Sequence, residues 1–149
     1  FDFPGLTTKT FSQMEHLINS TGRIMDKIKK ILIIDDEIAF TEMVKLNLEE
    51  SGRFHVRIEN DSRQALQTAQ EFSPDLILLD IIMPDIEGPD VAALFREDDQ
   101  LSKIPIIYLT VTIRQDEAGE WDQSHGRSVF LAKPCSVDDL ISAIDMYLP

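Results

Sequence analysis

Residues 76–88 read Leu76-Ile77-Leu78-Leu79-Asp80-Ile81-Ile82-Met83-Pro84-Asp85-Ile86-Glu87-Gly88. An apolar run ending in an aspartate describes a strand buried on both faces. Met83-Pro84-Asp85 then breaks the chain. Gly88-Pro89 opens a helix with Pro at its first position, carrying Val91, Ala92, Leu94 and Phe95. The same unit recurs on either side. Upstream, Ile31-Leu32-Ile33-Ile34 runs into Asp35-Asp36-Glu37. A largely helical pattern follows (Ile38, Phe40, Val44, Leu46, Leu48) and stops at Ser51-Gly52. His55-Val56-Arg57-Ile58 alternates polar and apolar, as an edge strand does. Asp61 or Asn60 is expected to cap a helix through Ala65, Leu66, Ala69 and Phe72, ended by Ser73-Pro74. Downstream, residues 104–109 read as a strand despite Pro105, and residues 115–124 as a weak, polar helix anchored by Ala118 and Trp121. Val129-Phe130-Leu131 is the fifth strand, and Ser136 caps a last helix with Leu140, Ile141, Ile144 and Leu148. Strands that each lead into a helical segment predict an α/β fold: a parallel sheet covered on both faces. Ligands of such sheets sit beyond the carboxyl ends of the strands.

Composition agrees with one such domain and some surplus. The chain has 149 residues, 43% of them apolar, and a formal net charge of −13. That charge argues against nucleic acid as a direct ligand and against an anionic membrane surface. No apolar run is long enough to span a bilayer, and no signal-peptide h-region is read in the first residues. A single cysteine, Cys135, fits a reducing, cytoplasmic compartment. Residues 1–30 carry a net charge of +2 and residues 31–149 a net of −15. We therefore expect an N-terminal extension over residues 1–28 and a domain over residues 29–149. The chain begins at Phe1 rather than Met, so a longer parent protein is expected.

The residues that end the strands carry the chemistry. The first strand ends in Asp35-Asp36-Glu37, the third in Asp80, the fourth in Thr110, and Lys133-Pro134 follows the fifth. Taken singly, each has an ordinary reading: a helix cap, a turn residue, a strand-end hydroxyl, a solvated lysine. Together, a parallel sheet brings them to one edge. Close carboxylates repel unless a cation joins them. Hard oxygen donors suit Mg²⁺, a lysine suits phosphate, and a carboxylate can serve as a phosphoryl-accepting nucleophile. The set fits phosphoryl transfer.

On these residues the chain resembles the receiver domain of bacterial two-component response regulators, of the chemotaxis-regulator type. The resemblance rests on residues 31–37, 74–88, 104–110 and 126–134 and covers roughly residues 29–148. It implies a flavodoxin-like (βα)5 doubly wound sheet of strand order 2-1-3-4-5, here with an extra N-terminal helix. It implies Asp80 as the phospho-acceptor and Lys133 as the partner of the phosphoryl group, before a cis Pro134. Thr110 would be the switch hydroxyl and Phe130 the switch aromatic. Asp35, Asp36, Asp80 and the backbone carbonyl of Ile82 would hold Mg²⁺. The partner implied is a histidine kinase or a histidine phosphotransfer protein, and the protein would be a switch rather than an enzyme acting on other substrates. Where the family usually has Ala or Gly after the switch hydroxyl, this chain has Val111, expected to narrow access to Asp80. Cys135 replaces a frequent Phe and is read as a small filler. Ile82 and Thr112 stand at positions that flank the attacking water in the family, and apolar Ile82 offers no amide to orient it, so a long-lived phospho-form is expected.

Phe11, Met14, Ile18, Thr21, Met25 and Ile28 fall three and four apart, a stripe that predicts an amphipathic helix. It would either pack on its own domain or pair two copies. Two rival classes make different demands on the sequence. An aspartate-nucleophile phosphohydrolase would carry a second acid two residues after Asp80, where Ile82 stands. A degenerate receiver serving only protein contacts would not need the complete acidic, hydroxyl and lysine set.

Overall fold

A computed structural model describes residues 27–111 and 129–148. The Phe11–Met25 part of the N-terminal stripe, the polar helix expected over 115–124, Thr112 and Gly126 lie outside these. The strands are β1 (Lys29–Ile34), β2 (Phe54–Glu59), β3 (Leu76–Asp80), β4 (Ile106–Thr110) and β5 (Val129–Ala132). The helices are α1 (Ile38–Glu50), α2 (Ala65–Phe72), α3 (Gly88–Arg96) and α4 (Val137–Tyr147). All strand pairs are parallel, in the order β2-β1-β3-β4-β5. This is the flavodoxin-like order that the resemblance implies.

Period-two alternation makes the sheet two-faced. Ile31, Ile33, Leu76, Leu78, Ile107 and Leu109 point to one side, where they meet Val44 and Leu48 of α1 and Leu140 and Ile144 of α4. Their neighbours Leu32, Ile34, Ile77, Leu79 and Tyr108 point to the other, against Ala65, Ala69 and Phe72 of α2 and Val91 and Phe95 of α3. Both faces are therefore covered, which is why β1 and β3 read as unbroken apolar runs.

The ends of the elements follow their local chemistry. Gly52, at φ 76°, turns the chain after α1, and Ser73, at φ 51°, ends α2 just before Pro74. Asp61 does cap, but it caps a short 3-10 turn, Ser62–Gln64, that leads into α2; its side chain accepts the Arg63 N–H. Ser136 caps α4 by accepting the Asp139 N–H at 3.0 Å. Strand β4 begins two residues later than expected. Pro105 has no N–H to give a ladder; its carbonyl still accepts from Ile77 N at 3.0 Å.

This placement makes a direct prediction. Leu78→Ala, at a fully buried β3 position, should lower unfolding free energy by about 2–5 kcal/mol. Leu46→Ala, at an α1 position 70% exposed, should change it by no more than about 0.5 kcal/mol. Urea unfolding measures both; equal losses would contradict the assigned faces.

Candidate functional site

The carboxyl ends of β1 and β3 bring Asp35, Asp36 and Asp80 together, with one carboxylate oxygen from each within 4.8 Å of the others. Asp36 is exposed, whereas Asp35 is fully buried and Asp80 nearly so. Asp35 is fixed on every side. Its backbone N–H donates to the Glu59 carbonyl at 3.1 Å. Its own carbonyl accepts from Asn60 Nδ2 at 2.7 Å, and the same amide donates to Thr41 Oγ1 at 3.0 Å. Its carboxylate accepts the Glu37 N–H at 2.9 Å and Lys133 Nζ at 2.7 Å. Asn60 thus ties the end of β2 to the start of α1. It was expected only as a capping candidate, and its site contact was not visible from spacing.

Asp80 is held by a close backbone approach. A Cβ at position 88 would lie 2.2 Å from the Asp80 carbonyl oxygen, so only glycine lets α3 start there. Gly88 N–H donates to the Ile81 carbonyl at 2.8 Å. The loop between them is pinned from the neighbouring β2–α2 turn: Ser62 Oγ donates to the Pro84 carbonyl at 2.8 Å and accepts the Ile86 N–H at 3.2 Å. Asp85 in this loop takes φ 68°, a conformation Asp tolerates.

On the other side, Lys133 N–H donates to the Thr110 carbonyl at 2.7 Å, which locks the loop after β5 to the end of β4. The Lys133–Pro134 peptide is cis. The Lys133 side chain is buried, and its ammonium pairs with Asp35 Oδ2 at 2.7 Å and Glu37 Oε1 at 3.3 Å. Thr110 is buried at the strand end. Phe130 is half-buried and stacks on Tyr108, centroids 5.4 Å apart and planes 22° from parallel. Ile82 and Val111 are exposed, and Cys135 is half-buried with its thiol pushed up by desolvation.

The electrostatics follow from this crowding. Burial, and then the Asp35 charge, push Asp80 from the usual carboxylate range up to about 7. The Lys133 charge and an N–H from Ile82 oppose that rise, and Asp36 adds to it. Burial also raises Asp35, against the pull of its Lys133 hydrogen bond. Burial works against the charge on Lys133, but its bond to Asp35 holds it above the ordinary lysine value. The donor set is all oxygen, like-charged and mostly desolvated. Those properties fit a hard divalent cation.

Residues 31–145 match the family model for the response regulator receiver domain. The polar-differentiation response regulator DivK of Brucella anthropi is 34% identical over 121 residues, covering 80% of this chain and 96% of DivK. The DNA-binding dual master transcriptional regulator RpaA of Synechocystis sp. is 33% identical over 116 residues, 77% of this chain; the chain spans only 47% of RpaA. In three dimensions the chemotaxis protein CheY4 of Vibrio cholerae aligns with a TM-score of 0.74 at 28% identity, over 81% of this chain and 99% of CheY4.

The raised Asp80 value has a signed consequence. Its protonated form is favoured in the folded state, so its stabilising contribution is present at pH 4 and is lost as pH rises through about 7. Asp80→Asn removes that ionisation. In metal-free buffer the variant should melt close to wild type at pH 4 and should be more stable by up to about 4 kcal/mol at pH 8. Thermal unfolding across this range checks it; a difference that does not grow with pH would contradict the assignment.

Proposed function

The chain belongs to the response regulator receiver domain family of two-component signalling, and from that premise we propose that it is a phosphorylation-controlled switch with Asp80 as acceptor. The observation that carries this reading is the convergence of Asp35, Asp36, Asp80 and Lys133 on one sheet edge. An Asp80 carboxylate oxygen attacks the phosphorus of a phosphohistidine, the P–N bond breaks, and the imidazole leaves with a proton from solvent. Lys133 and the Ile82 N–H favour the ionised, nucleophilic form of Asp80. Lys133 also supplies a compact positive charge for the incoming phosphoryl oxygens. Asp35, Asp36, Asp80 and the Ile82 carbonyl would hold Mg²⁺, which when bound neutralises charge on the phosphoryl oxygens.

Thr110 ends β4 next to this edge, and we read it as the hydroxyl that turns onto the phosphoryl group. Phe130, stacked on Tyr108, is the aromatic whose repacking reports that movement, so phosphorylation shifts the population between two packings. The phosphodonor is a histidine kinase or a histidine phosphotransfer protein, and the setting is cytoplasmic. Among the described residues no helix is long and apolar enough to cross a membrane. Residues 29–149 form the receiver and residues 1–28 an extension, which either packs on it or pairs two copies. Ile82 offers no amide or hydroxyl to an attacking water, so we expect the phospho-form to persist. The same residue stands where a phosphohydrolase would need a second acid.

Incubation with acetyl phosphate and Mg²⁺ should add the mass of one phosphoryl group. Asp80→Ala and chelation with EDTA should each abolish that gain. Lys133→Ala should slow it about 100-fold or more. If no donor, small molecule or kinase, yields the phosphoprotein, the chain is a degenerate receiver that works through protein contacts.

A further inference from the structure

The Lys133 ammonium has a third neighbour besides Asp35 and Glu37. It lies over the ring of Phe40, 4.4 Å from the centroid, well inside the range in which an aromatic face attracts a cation. Phe40 belongs to the first turn of α1, and its half-buried side chain packs against the apolar cluster shared by α1 and α4. The three neighbours come from one short stretch, residues 35–40, while Lys133 arrives from near the other end of the chain on a long, flexible stem. They differ in kind. A carboxylate can be drawn away by a cation or swing into solvent, and the Glu37 side chain is 59% exposed. An aromatic face neither ionises nor exchanges its partner for a metal ion, and core packing fixes this one in place.

We propose that Phe40 is a positioning residue for Lys133: its ring seats the ammonium at the mouth of the acidic pocket, so that it stays beside Asp80 when Asp35 and Glu37 are otherwise engaged. Phe40 touches no reacting atom and acts only through the lysine. The inference rests on the reading of Asp80 as phospho-acceptor. A core residue without this role would be replaced equally well by any apolar side chain of similar size.

The test compares Phe40→Leu, which keeps apolar bulk and removes the ring, with Phe40→Tyr, which keeps the ring. Initial phosphorylation rates of the 149-residue protein are measured against acetyl phosphate concentration with Mg²⁺, alongside melting temperatures. Phe40→Leu should react about five- to tenfold more slowly, and Phe40→Tyr should stay within about twofold of wild type. In proton NMR, the Lys133 Cε protons should be shifted upfield by the ring in wild type and in Phe40→Tyr, and not in Phe40→Leu. Should Phe40→Leu fail to fold, trifluorophenylalanine at position 40 keeps the shape, weakens the ring's negative face, and should slow the reaction in the same direction. The proposal is overturned if Phe40→Leu or the fluorinated protein reacts at the wild-type rate, if Phe40→Tyr is as slow as Phe40→Leu, or if the Lys133 protons are unshifted in wild type. Wild-type protein that takes no phosphoryl group refutes the acceptor reading itself, and the NMR shift still decides whether the ring holds the ammonium.

Discussion

The Asp35 carboxylate and the Lys133 ammonium meet at 2.7 Å with both side chains almost entirely withdrawn from water. Two ions in that position are costly unless they are paired closely, so this packing depends on bringing residues 35 and 133 together. In the sheet order β2-β1-β3-β4-β5, one partner follows β1 and the other follows β5. The pair therefore spans the carboxyl ends of β3 and β4, where Asp80 and Thr110 stand. The bond that satisfies two buried charges is also the frame around Asp80.

That frame is electrically unbalanced. One ammonium faces Asp35 and Glu37 directly and must also moderate Asp80. Burial first, and then the Asp35 charge, push Asp80 up to about 7 even with Lys133 close by. A site with this surplus gains stability from added positive charge, and it is held open by contacts that do not depend on charge: Gly88 against the Asp80 carbonyl, Ser62 against the loop after β3, Asn60 against the Asp35 carbonyl. Among the described residues most of the other acids are ordinary surface. At this edge a few acids are withdrawn from water and forced together.

The parts of this arrangement that depend on near neighbours were legible in the sequence. The unbroken run Ile31-Leu32-Ile33-Ile34 announces a strand covered on both faces, and Ser136 and Gly52 announce the ends of helices because caps act within a few residues. The acids of the site were legible because each lies at the end of a strand or just past it, and a parallel sheet gathers such positions. Strand β4 starts later than its apolar run suggests because Pro105 contributes no N–H. The sheet edge gathers Lys133 with Asp35 and Glu37, but which groups its ammonium touches was not legible. Glu37 and Phe40 lie more than ninety residues away from it, and each has an adequate local reading, one as a helix-opening acid and the other as a member of an apolar stripe. Gly88 likewise reads as a simple helix opener. Its obligatory contact with the Asp80 carbonyl exists only once α3 folds back on β3.

If Asp35, Asp36 and Asp80 repel one another, a divalent cation must relieve them. Thermal unfolding at pH 8, with MgCl₂ against NaCl of equal ionic strength, addresses this most directly. With Mg²⁺ at about ten times its dissociation constant, the wild-type protein should gain about 1.4 kcal/mol of stability, and Asp36→Asn and Asp80→Asn should lose most of that gain. A wild-type melting temperature that is the same in the two salts would contradict the account.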